Sequence, residues 1–307
     1  MLVLGAATSH APGILLPVEH WPVAYERMTR DVPQPLSAAK EDEEALVEAK
    51  ARIEDALQRL RAAIVAAEPD VVIVVGDDQN EVFGAPVNPT LAIYCGADAE
   101  GHTLPKHGAT GVDEVVHFKG SPDVAWALTE GLIERGFDPA MMTEIRPVTD
   151  TEGIGHAFAR PAKFLGLAEL GIPIVPVFLN CYHEPLPSGD RCYQLGQAIR
   201  EIADARPERI MLLGSGGLSH DPLGPRAGWI DQELDTWVLD RIRAGDTRAL
   251  RRLFSFKSDS LHGGSGEIRA WITVAGAFEN TSAEVIDYVP LHHTVTGLAF
   301  AYWESGH

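Results

Sequence analysis

Four stretches of the chain are apolar at nearly every position: "LVLGAAT" from Leu2, "VVIVVG" from Val71, "IPIVPVFL" from Ile172 and "RIMLLGSG" from Arg209. Compact apolar runs without polar alternation, bounded by turn residues, predict strands covered on both faces. A fifth segment, "TLAIYCG" from Thr90, also reads as extended. Between these runs the pattern turns helical. The longest helical segment, Ser37 to Glu68, is dominated by Ala, Leu, Glu, Lys and Arg, with Ser37 as its N-cap and Pro69 as its stop. Further helices are predicted over Pro122–Arg135, Gly189–Ala205, Trp229–Arg243, Thr247–Phe254 and Gly266–Phe278, with loops over 12–36, 96–121 and 258–266. This alternation predicts an α/β fold, a mixed sheet flanked by helices on both faces. No repeat, low-complexity block or linker interrupts it, so residues 1–307 read as a single domain.

Ligands of such sheets collect beyond the carboxyl ends of the strands. There the chain places "TSHAPG", "GDDQNE", "NCYHEP" and "GSGGLSHDP". The second is the most pointed, because five apolar residues run directly into Gly76, Asp77, Asp78 and Gln79. A polar turn and a metal site both fit that pattern. His10 and His220 lie in two of the other loops, His220 behind glycines that let backbone approach a bound group closely. The GxGxxG order and the terminal Lys of a P-loop are missing, which argues against nucleotides. Glu267 opens a predicted helix, where the helix dipole favours a carboxylate. Each residue alone has an ordinary structural reading. Together, two imidazoles and a carboxylate meet the needs of a ferrous ion with positions left open for substrate and oxygen.

The segments "GAATSHAPG", "IVPVFLNCYHEPLPSGDRCYQLGQAI", "LLGSGGLSHDPLGPRAGWID" and "GGSGEIRAWITVAGA" resemble the catalytic subunits of the class III extradiol ring-cleavage dioxygenases, a family that includes protocatechuate 4,5-dioxygenase and gallate and 3-O-methylgallate dioxygenases. The resemblance implies an Fe(II) enzyme that inserts O2 into the ring of a small aromatic diol. It makes His10 and Glu267 iron ligands, His220 the catalytic histidine beside the iron, and His156, in "GIGHAFARP", a second active-site histidine that contacts substrate. It also implies a histidine ligand at the strand end near residues 77–79. Here the sequence departs from the family, because Asp78 is followed by Gln79. Gln79 could lend its carbonyl oxygen to the metal, or His102, His107 or His117 could fill the position. Asp77, Asp78 and Glu81 read as orienting groups or as turn residues. Arg160, Arg191, Arg226 and Arg269 are candidate partners for a substrate carboxylate. His183, His262, His292 and His293 read as loop or packing residues. On the residues alone, two rival classes stay open: a metal-dependent hydrolase or other non-oxidative enzyme, and a noncatalytic binding protein.

Charge and cysteine usage narrow the partners. The formal net charge is −19 and no basic run occurs, which argues against nucleic acid and anionic membranes. Cys95, Cys181 and Cys192 lack CxxC spacing and read as reduced thiols. The N-terminal segment is a poor signal peptide, and no apolar run is long enough for a membrane span. The expectation is a cytoplasmic protein, with a homodimer or a small partner subunit implied by the resemblance.

Overall fold

The apolar runs become neighbouring strands in a computed structural model, which describes residues 1–84, 86–104, 114–146, 153–222 and 224–305. Along the chain lie β1 (Leu2–Thr8), α1 (Trp21–Thr29), α2 (Glu43–Ala67), β2 (Val71–Gly76), β3 (Leu91–Tyr94), β4 (Asp98–His102) and β5 (Val115–Lys119). They are followed by α3 (Pro122–Glu134), β6 (Ala140–Met142), α4 (His156–Phe164), β7 (Ile174–Leu179), α5 (Gly189–Asp204) and β8 (Ile210–Ser215). The chain ends with α6 (Gln232–Arg243), α7 (Ile268–Ala277), β9 (Glu284–Leu291) and β10 (Thr296–Glu304).

The main sheet has the order β6-β3-β7-β2-β8-β1-β10-β9. Its centre, β7-β2-β8-β1, is parallel throughout, while β3 joins β7, and β10 joins β1, in antiparallel fashion. The sheet is therefore mixed, as expected, with the parallel strands innermost. Burial on both faces explains their unbroken hydrophobicity. Val71, Ile73 and Val75 share a core with residues of α3, α5, α6 and α7. Val72 and Val74 share the opposite core with α2, α4 and the β4–β5 pair. Helix α2 fits its face through Leu46, Ala49, Ile53, Ala56, Leu60 and Ile64, one apolar stripe at three- and four-residue spacing.

Several boundaries differ from the sequence-based expectation, each for a local reason. The long helix starts at Glu43, because the Asp42 side chain accepts a hydrogen bond from the Ala45 N–H at 3.0 Å and caps it. Ser37 instead precedes a short 3-10 turn and bonds the His292 ring. Glu68 ends α2 in the left-handed region, at φ 44°. The expected loop over 12–36 contains α1, where Pro22 occupies a first-turn position that needs no N–H. Residues 247–252 form a 3-10 helix rather than an α-helix. Strands β9 and β10, absent from the expectation, close the sheet beside β1. Among the described residues, no helix is long and apolar enough to cross a membrane.

Asp42→Ala should cost about 1 kcal/mol of unfolding free energy, and Asp42→Ser should restore most of it. Denaturant titration measures both; equal stability of Asp42→Ala and wild type would contradict the capping role.

Candidate active site

The four central strands deliver their polar ends to one place. His10 lies two residues beyond β1, Asp77 and Gln79 follow β2, Tyr182 lies in the loop after β7, and His220 lies in the loop after β8. Glu267 closes a 3-10 turn at the start of α7, and His156 is the first residue of α4. These groups meet. His10 Nε2 is 3.5 Å from Glu267 Oε2 and 3.8 Å from Asp77 Oδ1. His220 Nε2 is 3.4 Å from Glu267 Oε1. The rings of His10 and His156 pack edge to face with centroids 4.7 Å apart.

Two glycines make the close approach possible. Gly216, at φ 131°, brings backbone against Glu267, and a Cβ there would stand 2.6 Å from Glu267 Oε2. The next residue, Gly217, donates its N–H to that oxygen at 2.6 Å. Gly264, in "HGGSGE", faces the His220 ring, where a Cβ would stand 2.1 Å from Nε2. Trp271 on α7 holds the first loop through its indole N–H to the Gly216 carbonyl. Behind His220, the Asp235 carboxylate accepts from both the N–H and the hydroxyl of Ser219, each at 2.8 Å, and from the Tyr288 hydroxyl. Burial pushes the Asp235 carboxyl up to about 7 against those bonds.

Hydrogen bonding settles the tautomers. The Ser215 hydroxyl donates its one proton to the Ala157 carbonyl, so at 2.9 Å it can only accept from His10 Nδ1. His156 Nδ1 donates to Glu81 Oε2 at 2.8 Å, and His220 Nδ1 to the Leu218 carbonyl at 2.9 Å. All three neutral imidazoles thus carry a lone pair on Nε2, the form that binds a metal or takes a proton.

Electrostatics sharpen the picture. Burial lowers the His10 pKa to about 4, in spite of the nearby Glu267 carboxylate. Burial also works against charge on Glu267, yet His220 and His10 hold its carboxyl well below the usual range. The same carboxylate overrides the burial of His220 and raises the pKa of that ring. Glu267 accepts from the Tyr182 hydroxyl at 2.6 Å and from the Gln79 amide at 3.2 Å. Asp77 has no such support. It is 1% exposed, and among the described residues neither carboxylate oxygen has a hydrogen-bond partner. Burial, then Glu267 and Glu81, drive its pKa well up; the Gln79 amide is near enough to relieve this slightly without a bond of ordinary geometry. A divalent cation suits this set, because ligand atoms of His10, Asp77 and His156 lie within 4.8 Å of one another and, among the described residues, no group hydrogen-bonds the Asp77 carboxylate.

The expected residues His10, Gln79, His156, His220 and Glu267 are brought together. Other candidates are not. His117 is exposed on β5, paired with Glu100 at 3.1 Å, and His102 ends β4. His107 lies outside the described residues. His292 and His293 are a packing pair bound to Glu41 through their N–H groups. Asp78 builds the turn, accepting from the N–H groups of Glu81, Val82 and Phe83. Arg160 does reach the cluster, buried within electrostatic reach of Glu81, Glu267 and Asp77 and donating to the His10 and Thr103 carbonyls; Arg269 instead bonds the Pro187 and Gly266 carbonyls and Arg191 the Gly136 carbonyl. Arg226 and His262 share with His220 a niche of about 10 Å³, roughly one water. A larger cleft of about 520 Å³, between the β4–β5 pair and Ile172, contains none of the site residues. Sequence reasoning missed Tyr182 and the Glu81–His156 pair; the tyrosine in "NCYHEP" at a strand end was the available signal.

Comparison with known proteins places the chain in a family. A family profile described as the catalytic LigB subunit of aromatic ring-opening dioxygenase matches residues 32–301. A 2,3-dihydroxyphenylpropionate/2,3-dihydroxicinnamic acid 1,2-dioxygenase from Pseudomonas putida is 32% identical over 71% of this chain and 68% of its own length. A second enzyme of that name from the same organism is 31% identical over 59% of this chain and 53% of its own length. The crystal structure of uncharacterized protein JW3007 from Escherichia coli K12 aligns with 97% of this chain and 99% of its own, with a TM-score of 0.53 and 13% identity, a likeness of fold alone.

The buried Glu81–His156 pair carries a pH signature. Burial opposes charge on Glu81, but His156 and Arg160 prevail and bring its pKa from 4.5 to about 2. A depressed carboxylate contributes stability above its unfolded pKa and loses it as pH falls through the folded value. In metal-free protein, the stability margin of wild type over Glu81→Gln should therefore shrink from about pH 4.5 toward 2. Unfolding titrations across that window check it; a margin independent of pH would contradict the stabilised Glu81 carboxylate.

Proposed function

The chain belongs to the family of catalytic LigB subunits of aromatic ring-opening dioxygenases, and from that premise we propose that it uses Fe(II), bound by His10, Glu267 and the strand end around Gln79, with His220 and His156 as its catalytic histidines. The protein is an extradiol ring-cleavage dioxygenase, an oxidoreductase that incorporates O2 into a catechol-type ring. The observation that supports the proposed roles best is the convergence of His10, Asp77 and Glu267 within reach of His220.

Fe(II) held there supplies Lewis acidity and an electron relay between ring and oxygen. The chain's own residues do the rest. His220, fixed by the Leu218 carbonyl, presents a basic Nε2 to a phenolic proton, and Glu267 stabilises the imidazolium that results. The same ring returns that proton later in the turnover. His156, held by Glu81, orients a substrate oxygen through Nε2. Tyr182, Gln79 and the Gly217 N–H keep Glu267 in place, and burial of the cluster keeps bulk water away.

The first and last strands, β1 and β10, pair with each other, which supports residues 1–307 acting as one catalytic domain. We carry the family expectation further to a cytoplasmic enzyme, working as a homodimer or with a small partner subunit, which sedimentation of the purified protein would read.

The functional test is anaerobic reconstitution with Fe(II) followed by air and a panel of catechols, gallates and O-methylgallates, together with 2,3-dihydroxyphenylpropionate. Stoichiometric O2 uptake with a coloured ring-fission product is expected; no uptake with any diol would overturn the proposal. His220→Ala should keep its metal and lose about 10²–10⁴ in rate, and parallel loss of metal and rate would contradict its role. Glu267→Gln should lose most of its metal by elemental analysis; full retention would remove Glu267 from the ligand set.

A further inference from the structure

Asp77, Asp78 and Gln79 occupy the strand end where the family resemblance implies a second histidine ligand, and three observations distinguish them. The first is the orientation of Gln79. Its amide nitrogen lies 3.2 Å from Glu267 Oε1 and 3.0 Å from the Tyr182 hydroxyl. The carboxylate can only accept, and the tyrosine gives its one proton to that carboxylate at 2.6 Å. Both neighbours therefore present acceptors to Gln79, and the network fixes the amide with its NH2 toward them. An NH2 group has no lone pair to give a metal. Gln79 serves as a clamp on Glu267.

The second observation is Asp77, two residues earlier in the same loop. It is buried, with both carboxylate oxygens unpartnered among the described residues. The third is what Asp77 faces. His10 Nε2, a lone pair once Ser215 has taken the Nδ1 proton, stands 3.8 Å from Asp77 Oδ1 and 3.5 Å from Glu267 Oε2. Both carboxyl groups thus lie close to the one His10 lone pair. A cation bound there would take up that lone pair and both carboxylates together.

We propose that Asp77, rather than Gln79, completes the protein's metal-ligand set, so that the ion is held by His10 Nε2 and the carboxylates of Asp77 and Glu267. The assignment rests on the reading that a divalent metal occupies this site. It replaces a neutral nitrogen donor with an anionic oxygen donor. Two carboxylates balance the dipositive charge, and the set becomes harder, suited to Fe(II) and Mn(II).

Mn(II) binding to the full-length protein, freed of metal beforehand, tests the assignment without turnover. Wild type should bind one equivalent and gain thermal stability on Mn(II) addition. Asp77→Asn should weaken Mn(II) by at least about 100-fold and lose the thermal shift. Gln79→Leu should keep one equivalent with a smaller loss, within the range of about 10–100-fold typical of a ligand-orienting residue. Asp77→Ala provides a second variant if the asparagine form misfolds, and circular dichroism confirms folding of each. One equivalent bound by Asp77→Asn at wild-type affinity would overturn the Asp77 assignment and leave the metal reading standing. Absence of Mn(II), Co(II) and Fe(II) binding by wild type would overturn both.

Discussion

Asp77 and Glu267 are withdrawn from water at the mouth of four parallel strands, and that placement governs the rest of the site. Two carboxylates in a low-dielectric pocket repel each other and each pays for lost hydration. Glu267 is compensated by the Gly217 N–H, the Tyr182 hydroxyl, the Gln79 amide and two imidazoles. Asp77 has no hydrogen-bond partner among the described residues. A protein that keeps such a residue at the end of its most hydrophobic strand has built a place for positive charge.

The surrounding fold makes that place rigid. Neighbouring parallel strands end side by side, so loops far apart in sequence start from one line. Each histidine that enters the pocket is then tied by Nδ1 to a fixed acceptor: Ser215 for His10, Glu81 for His156 and the Leu218 carbonyl for His220. The three rings have the same tautomer and different neighbours. His10 sits between two carboxylates and stays neutral, while His220 touches one carboxylate and has its proton affinity raised. Neighbours, rather than residue type, set the two rings apart.

Much of this was legible in the chain. The four apolar runs appear as the four central strands because burial on both faces leaves a plain hydrophobic signature; His10 and His220 stood out where two of those runs end, and Glu267 at the start of a predicted helix. What stayed hidden depended on contacts rather than pattern. Asp42 displaced Ser37 as the cap because a cap is a matter of geometry, and both residues suit it. Helix α1 was masked by Pro22, which reads as a breaker although it is tolerated in a first turn. Strand β9 carries Pro290 and mixed polarity at the sheet edge, which conceals it. No sequence pattern distinguishes Asp77, unpartnered and buried, from Asp78, which accepts three backbone N–H groups at the next position. The direction of the Gln79 amide is equally invisible until Tyr182 and Glu267 are in place.

Anomalous X-ray diffraction from crystals of the enzyme loaded with Fe(II) under anaerobic conditions tests the central claim most directly. One anomalous peak is expected, within coordination distance of His10 Nε2 and of an oxygen of each of the two buried carboxylates. A peak on the far side of Glu267 from His10, or none in the pocket at full metal loading, would contradict it.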